Sequence, residues 1–181
     1  MNLPNKLTLL RVVMIPVFLV VLLLGLPDAQ ISRWIAAGIF ALASFTDFLD
    51  GYLARKYKLV TNFGKFADPL ADKLLVCAAL VALTEMGEIA SWVTIVIVSR
   101  ELIVTGFRLL AVEQGIVLAA GFGGKLKTAV TMVMILWVLA LPATSWMFIV
   151  GQVLVYASAA LTVYSAVEYI VTNINVLRDV K

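Results

Sequence analysis

Apolar residues run in six stretches along the chain, roughly 12–26, 31–56, 63–86, 89–112, 125–141 and 146–170. Short polar or turn-forming breaks separate them: Leu26-Pro27-Asp28-Ala29-Gln30, Glu85-Met86-Gly87-Glu88 and Pro142-Ala143-Thr144-Ser145 are the clearest. Runs of this length predict membrane-crossing helices, and the second and third exceed the about 20 residues that a bilayer core requires. Their shared end can therefore project from the hydrocarbon as helical stubs. Residues 1–11 are mildly amphipathic and basic, which predicts a short interfacial segment before the first span. Asn173 to Lys181 reads as a polar tail. The expected fold is all-α: a polytopic integral membrane protein of six transmembrane helices behind a short N-terminal interfacial segment. Residues 1–181 form one domain, with no polar linker to mark a second.

Composition strengthens this picture. The chain is 63% hydrophobic and 14% charged, with a mean hydropathy of +1.06, whereas a soluble domain is about half apolar and about a quarter charged. There is no histidine, which excludes imidazole catalysis and histidine metal sites. The one cysteine, Cys77, excludes an intrachain disulfide. A net charge of +3 suits an anionic bilayer surface, and no nucleic-acid partner is expected.

Against this background four carboxylates crowd one stretch. It reads Asp47-x-x-Asp50-Gly51-x-x-Ala54-Arg55, then Gly64-x-x-x-Asp68-x-x-x-Asp72. A carboxylate within membrane-spanning segments is costly and points to function. Asp47, Asp50 and Ala54 share a helix face by i, i+3, i+7 spacing, and Asp68 and Asp72 share one by i, i+4. Between them lies a basic, polar stretch, Arg55 to Lys65, suited to a turn at a membrane surface. A helical hairpin folded there brings the four to one level, about 12–19 Å from the middle of the turn. Four like charges need compensation. Oxygen-only donors favour magnesium, manganese or calcium. Two such ions balance four carboxylates and suit displacement at phosphorus. Gly51 and Ala54 leave room beside the carboxylates for a nucleotide, or else only allow close helix packing.

The residues Asp47, Asp50, Gly51, Ala54, Arg55, Gly64, Asp68 and Asp72 match the motif of the CDP-alcohol phosphotransferases at every position, and on them the chain resembles that family. The resemblance implies a six-helix membrane enzyme, usually a homodimer, that transfers a phosphoryl-linked group from a CDP-linked donor to an alcohol and releases CMP. It implies that Asp47, Asp50 and Asp68 bind two divalent cations, Mg2+ or Mn2+, and that Asp72 is the general base; in the mechanism read from these residues one oxygen of Asp72 also lies on metal. Gly51, Ala54, Arg55 and Gly64 are then candidate donor-binding positions, Arg55 being alternatively a surface anchor.

The acceptor is read from a second group. Arg100 and Arg108, eight residues apart, point broadly to one side of the fourth helix. The alternative is that Arg100 only neutralises Glu101 or an aspartate. Lys125 and Lys127 follow Gly121-Phe122-Gly123-Gly124 at the start of the fifth helix. The four are candidates for binding an acceptor's phosphate, for which arginine's planar donor fork is suited. The Ser99-Arg100-Glu101 run, the Gly124-to-Thr128 run and the start Leu3-Pro4-Asn5-Lys6-Leu7-Thr8-Leu9-Leu10-Arg11 resemble the branch of the family that takes CDP-diacylglycerol and sn-glycerol 3-phosphate. Other acceptors, phosphatidylglycerol or an inositol phosphate, would keep the same aspartates. A divalent-cation transporter is the alternative from another class, and it leaves Gly51, Ala54 and Gly64 unexplained.

Basic residues set the orientation. Lys6, Arg11, Arg55, Lys56, Lys58, Lys65, Arg108, Lys125, Lys127, Arg178 and Lys181 fall on one side of a six-span arrangement, and Arg33 alone on the other. This asymmetry predicts a plasma-membrane protein with both termini and the aspartate turn in the cytoplasm.

Overall fold

The computed structural model describes residues 3–25, 28–56, 62–113, 118, 121–140 and 145–174, with the helical backbone alone at 3–7, 47–56, 62–69, 72, 113 and 145. They form six α-helices: α1 Leu3–Leu24, α2 Ala29–Lys56, α3 Asn62–Glu85, α4 Ser91–Glu113, α5 Phe122–Ala140 and α6 Ser145–Thr172. The expected all-α fold is present. Two helical stretches, Phe122–Ala140 and Trp146–Thr172, are long and apolar enough to cross a membrane.

The basic N-terminal stretch is helical and continuous with the first apolar run, since α1 runs from Leu3 to Leu24 without a break. Pro4 sits in its first turn, where proline's missing N–H would have no partner anyway, and nothing between Pro4 and Arg11 interrupts helix. The fifth helix starts earlier than expected, so Gly123 and Gly124 lie inside its first turn. The predicted turn at Pro142–Ser145 and the polar tail fall largely outside the described residues.

Helix ends follow local chemistry. Gly25 closes α1 at φ 62°, a left-handed conformation that glycine adopts without strain. Asp28 then caps α2: its Oδ1 accepts the amides of Gln30 at 2.7 Å and Ile31 at 3.3 Å. Gly87, at φ 75°, turns the chain after α3. At the end of α6, the Asn173 amide donates to the Tyr169 carbonyl at 2.8 Å.

The helices form two compact units. The first comprises residues 1–86 and 136–142, the second 87–135 and 143–181. In the first, α1 packs on α2 and α3, and α2 packs on α3. The buried face of α1 is Thr8, Arg11, Ile15, Phe18 and Leu22, a helical stripe. The helices it packs on bury small residues, Ala36, Ala37 and Ala43 on α2 and Ala71, Ala79 and Ala82 on α3, a composition that lets backbones approach closely. Arg33 donates from Nη2 to the Val138 carbonyl at 2.7 Å and from Nε to that of Leu139 at 3.4 Å. A cation thus caps the C-terminal end of α5, where helix carbonyls lack partners. In the second unit α4 packs on α6.

Polarity is inverted relative to a water-soluble fold. Leu102 is 66% exposed and Val171 65%, whereas Arg11 is fully buried and Lys127 is 2% exposed. Large apolar side chains cover the outside of α1, α4 and α6, a surface suited to lipid rather than water. Buried hydroxyls bond within their own helices: Thr162 to the Ser158 carbonyl at 2.6 Å and Thr131 to that of Lys127 at 2.9 Å, as an apolar medium demands.

Replacing Arg33 by Met removes charged donors from the two α5 carbonyls. The expected loss is about 1–3 kcal/mol, measured as a lower unfolding midpoint in detergent, with Arg33→Lys falling between.

Candidate active site

The motif aspartates fall symmetrically about the α2–α3 connection. Asp50 lies six residues before the end of α2, and Asp68 six residues after the start of α3. Asp47 lies nine before that end and Asp72 ten after that start. These positions are counted along two helices that pack on one another. The side chains of Asp47, Asp50, Gly51, Ala54, Arg55, Gly64, Asp68 and Asp72 lie outside the described residues. The donor set itself is all oxygen, with no histidine in the chain. That set fits a hard divalent cation and not zinc or copper.

In the second unit the structure brings together two of the four predicted basic residues. Arg100 Nη1 donates to Glu101 Oε1 at 3.0 Å, and Lys127 Nζ bonds the same oxygen. One carboxylate oxygen therefore holds two cations, both about nine-tenths buried or more. Arg100 does pair with Glu101, but Glu101 is shared, so one positive charge is left over. Charge confined with so little water acts strongly on an incoming anion.

Arg108 and Lys125 are placed differently. The Arg108 guanidinium stands over the Tyr169 ring, 5.7 Å from its centroid, in cation–π geometry. Tyr169 also meets Phe107 edge-on at 6.1 Å, within a cluster containing Val104 and Ala111. Lys125 is exposed beside the first turn of α5.

That first turn is where α4 and α6 both reach α5. A Cβ on Gly124 would stand 3.3 Å from Arg100 Nη2. A Cβ on Gly123 would collide with the Glu168 carboxylate and stand 3.2 Å from the Tyr164 ring. The glycines therefore admit a guanidinium and a carboxylate against the helix start. Sequence inspection did not single out Glu168 or Tyr169. Their signal was faint, two polar groups near the end of an otherwise apolar sixth segment.

Comparison with known proteins bears on both groups. The family model for CDP-alcohol phosphatidyltransferases matches residues 1–164. The chain belongs to this family of membrane-embedded transferases, which use a divalent metal. Among its relatives, a probable phosphatidylglycerophosphate synthase of Mycobacterium tuberculosis is 44% identical over 179 residues, covering 99% of this chain and 83% of that protein. A CDP-diacylglycerol–glycerol-3-phosphate 3-phosphatidyltransferase of Bacillus subtilis is 41% identical over 188 residues, covering 98% and 97%. A protein of the same name from Shigella flexneri is 40% identical over 174 residues, covering 93% of each chain.

Gly123→Ala is expected to lower the unfolding midpoint by forcing the Glu168 carboxylate aside. Combined with Glu168→Ala, the loss should be clearly smaller than the sum of the single effects, as a double-mutant cycle measures.

Proposed function

We propose that this chain transfers the phosphatidyl group of CDP-diacylglycerol to sn-glycerol 3-phosphate, giving phosphatidylglycerophosphate and CMP. The observation that carries this reading is identity of 40–44% along nearly the whole chain with relatives named for that activity. The eight-position motif on α2 and α3 agrees with it. So does the buried cationic group on α4 and α5, since glycerol 3-phosphate brings a phosphate of its own.

In this mechanism Asp47, Asp50, Asp68 and Asp72 would hold two divalent cations, Mg2+ or Mn2+. When bound, such ions neutralise the donor's pyrophosphate and the charge that develops on the leaving phosphate. Asp72 takes the proton from the primary hydroxyl of glycerol 3-phosphate. That oxygen forms a bond to the phosphatidyl phosphorus, and the bond from this phosphorus to the bridging oxygen breaks, releasing CMP. Gly51, Ala54, Arg55 and Gly64 flank the donor. Arg100, Arg108, Lys125 and Lys127 hold the acceptor's phosphate, Arg100 and Lys127 being fixed by Glu101. Orientation and electrostatics supply most of the rate.

We further propose six membrane spans, with both termini and the aspartate turn in the cytoplasm, where a nucleotide donor and a sugar phosphate are available. The excess of Lys and Arg on that side supports this orientation. As in the resemblance, the working unit is taken to be a homodimer.

The test uses purified protein in detergent with CDP-diacylglycerol and Mg2+ or Mn2+. CMP release that requires glycerol 3-phosphate and stops with EDTA is the expected result. Release only with phosphatidylglycerol or inositol phosphate would overturn the acceptor assignment while keeping the chemistry. Metal flux without CMP release would point instead to a transporter.

Asp72→Asn cannot accept the proton. It is expected to bind CDP-diacylglycerol nearly as wild type while turnover falls by about a hundredfold or more. Full turnover in this variant would remove Asp72 as the base.

A further inference from the structure

Among the described residues no charged side chain is buried more completely than Arg11, at 0% exposed. It lies on the α1 stripe that also buries Thr8, Ile15, Phe18 and Leu22, in the unit where α1 packs on α2 and α3. A guanidinium removed from water requires acceptors nearby, and negative charge compensates it best. The acidic residues of this unit are Asp28, Asp47, Asp50, Asp68, Asp72 and Glu85. Asp28 caps the start of α2 and Glu85 ends α3, both at the end of the unit remote from the α2–α3 connection. Arg11 lies 13 residues from the end of α1, about 20 Å along the helix from that region. The motif aspartates remain.

The register between α1 and α2 selects the same group. These helices are joined by residues 25–28 and run antiparallel. Phe18 and Phe40 fix their alignment, with ring centroids 6.1 Å apart. Two helical turns back along α1 from Phe18 is Arg11, and two turns on along α2 from Phe40 is position 47. A step of seven residues keeps nearly the same helix face. One turn further, Thr8, also buried, stands in the same relation to position 50.

We propose that Arg11 is the built-in positive charge of the carboxylate centre, a positioning residue that steadies the aspartates when no cation is bound and favours the donor's pyrophosphate when cations are. This rests on the metal-binding reading given above. Four carboxylates and two divalent cations sum to neutrality, so the guanidinium makes the loaded centre net positive. It opposes cation binding and assists an anionic donor. A residue that merely packs α1 would do neither.

The test measures Mn2+ binding to detergent-solubilised protein without substrate, by the loss of free-ion electron paramagnetic resonance signal, beside steady-state kinetics. Arg11→Met is expected to bind Mn2+ about tenfold more tightly, to raise KM for CDP-diacylglycerol, and to leave KM for glycerol 3-phosphate unchanged. Arg11→Lys should restore both values towards wild type. If Arg11→Met does not fold, Arg11→Gln carries the same expectations. Unchanged or weaker Mn2+ binding in a folded neutral variant would overturn the proposal. Asp68→Asn separates the two readings. If that variant binds Mn2+ as wild type does, the metal assignment itself fails.

Discussion

Charge held inside an apolar shell is the constraint on which the rest of this structure depends. A carboxylate or guanidinium cut off from water needs an opposite charge or well-placed polar partners. Each unit meets that demand in its own way. In the second, Glu101 gives one oxygen to both Arg100 and Lys127. In the first, four aspartates lie along α2 and α3 on either side of their connection, and a fully buried arginine lies on the helix packed against both. The apolar exterior sharpens these interactions, because little water competes for the charged groups.

Glycine and alanine make the charge pairing geometrically possible. Alanines between α1, α2 and α3 let the helices approach until Arg11 and Thr8 are sealed from solvent. Gly123 and Gly124 let the Glu168 carboxylate and the Arg100 guanidinium lie against the first turn of α5. In both places a small residue matters for what its absent side chain admits. The family motif, with Gly51, Ala54 and Gly64 beside its aspartates, has the same composition.

Much of this was legible in the chain itself. Six helices follow from six apolar runs, and the even placement of Asp47 and Asp50 against Asp68 and Asp72 follows from spacing alone. What spacing concealed was three-dimensional partnership. Arg100 and Glu101 are neighbours in sequence, but Lys127 is 26 residues from the carboxylate it shares. Arg11 reads as an ordinary basic residue at a membrane edge, and only the packing of α1 shows it buried. Glu168 sits in an apolar segment with nothing in sequence to tie it to Gly123. Amphipathic character says where the N-terminal stretch prefers to lie, and leaves open where its helix begins.

The internal hydrogen bonds of α6 bear on how the chain enters a bilayer. Thr162 and Ser165 satisfy their hydroxyls on carbonyls of their own helix, so these two groups need no neighbour, whereas Glu168 further along α6 lies against the start of α5. Helices α2, α3 and α4 instead carry aspartates or arginines whose charges need partners from elsewhere in the fold. Insertion and assembly are therefore more nearly separable for the hydroxyl-bearing part of α6 than for the helices whose charges need partners from elsewhere. During biogenesis the active-site helices are the ones that depend on their companions being present before they can settle in lipid.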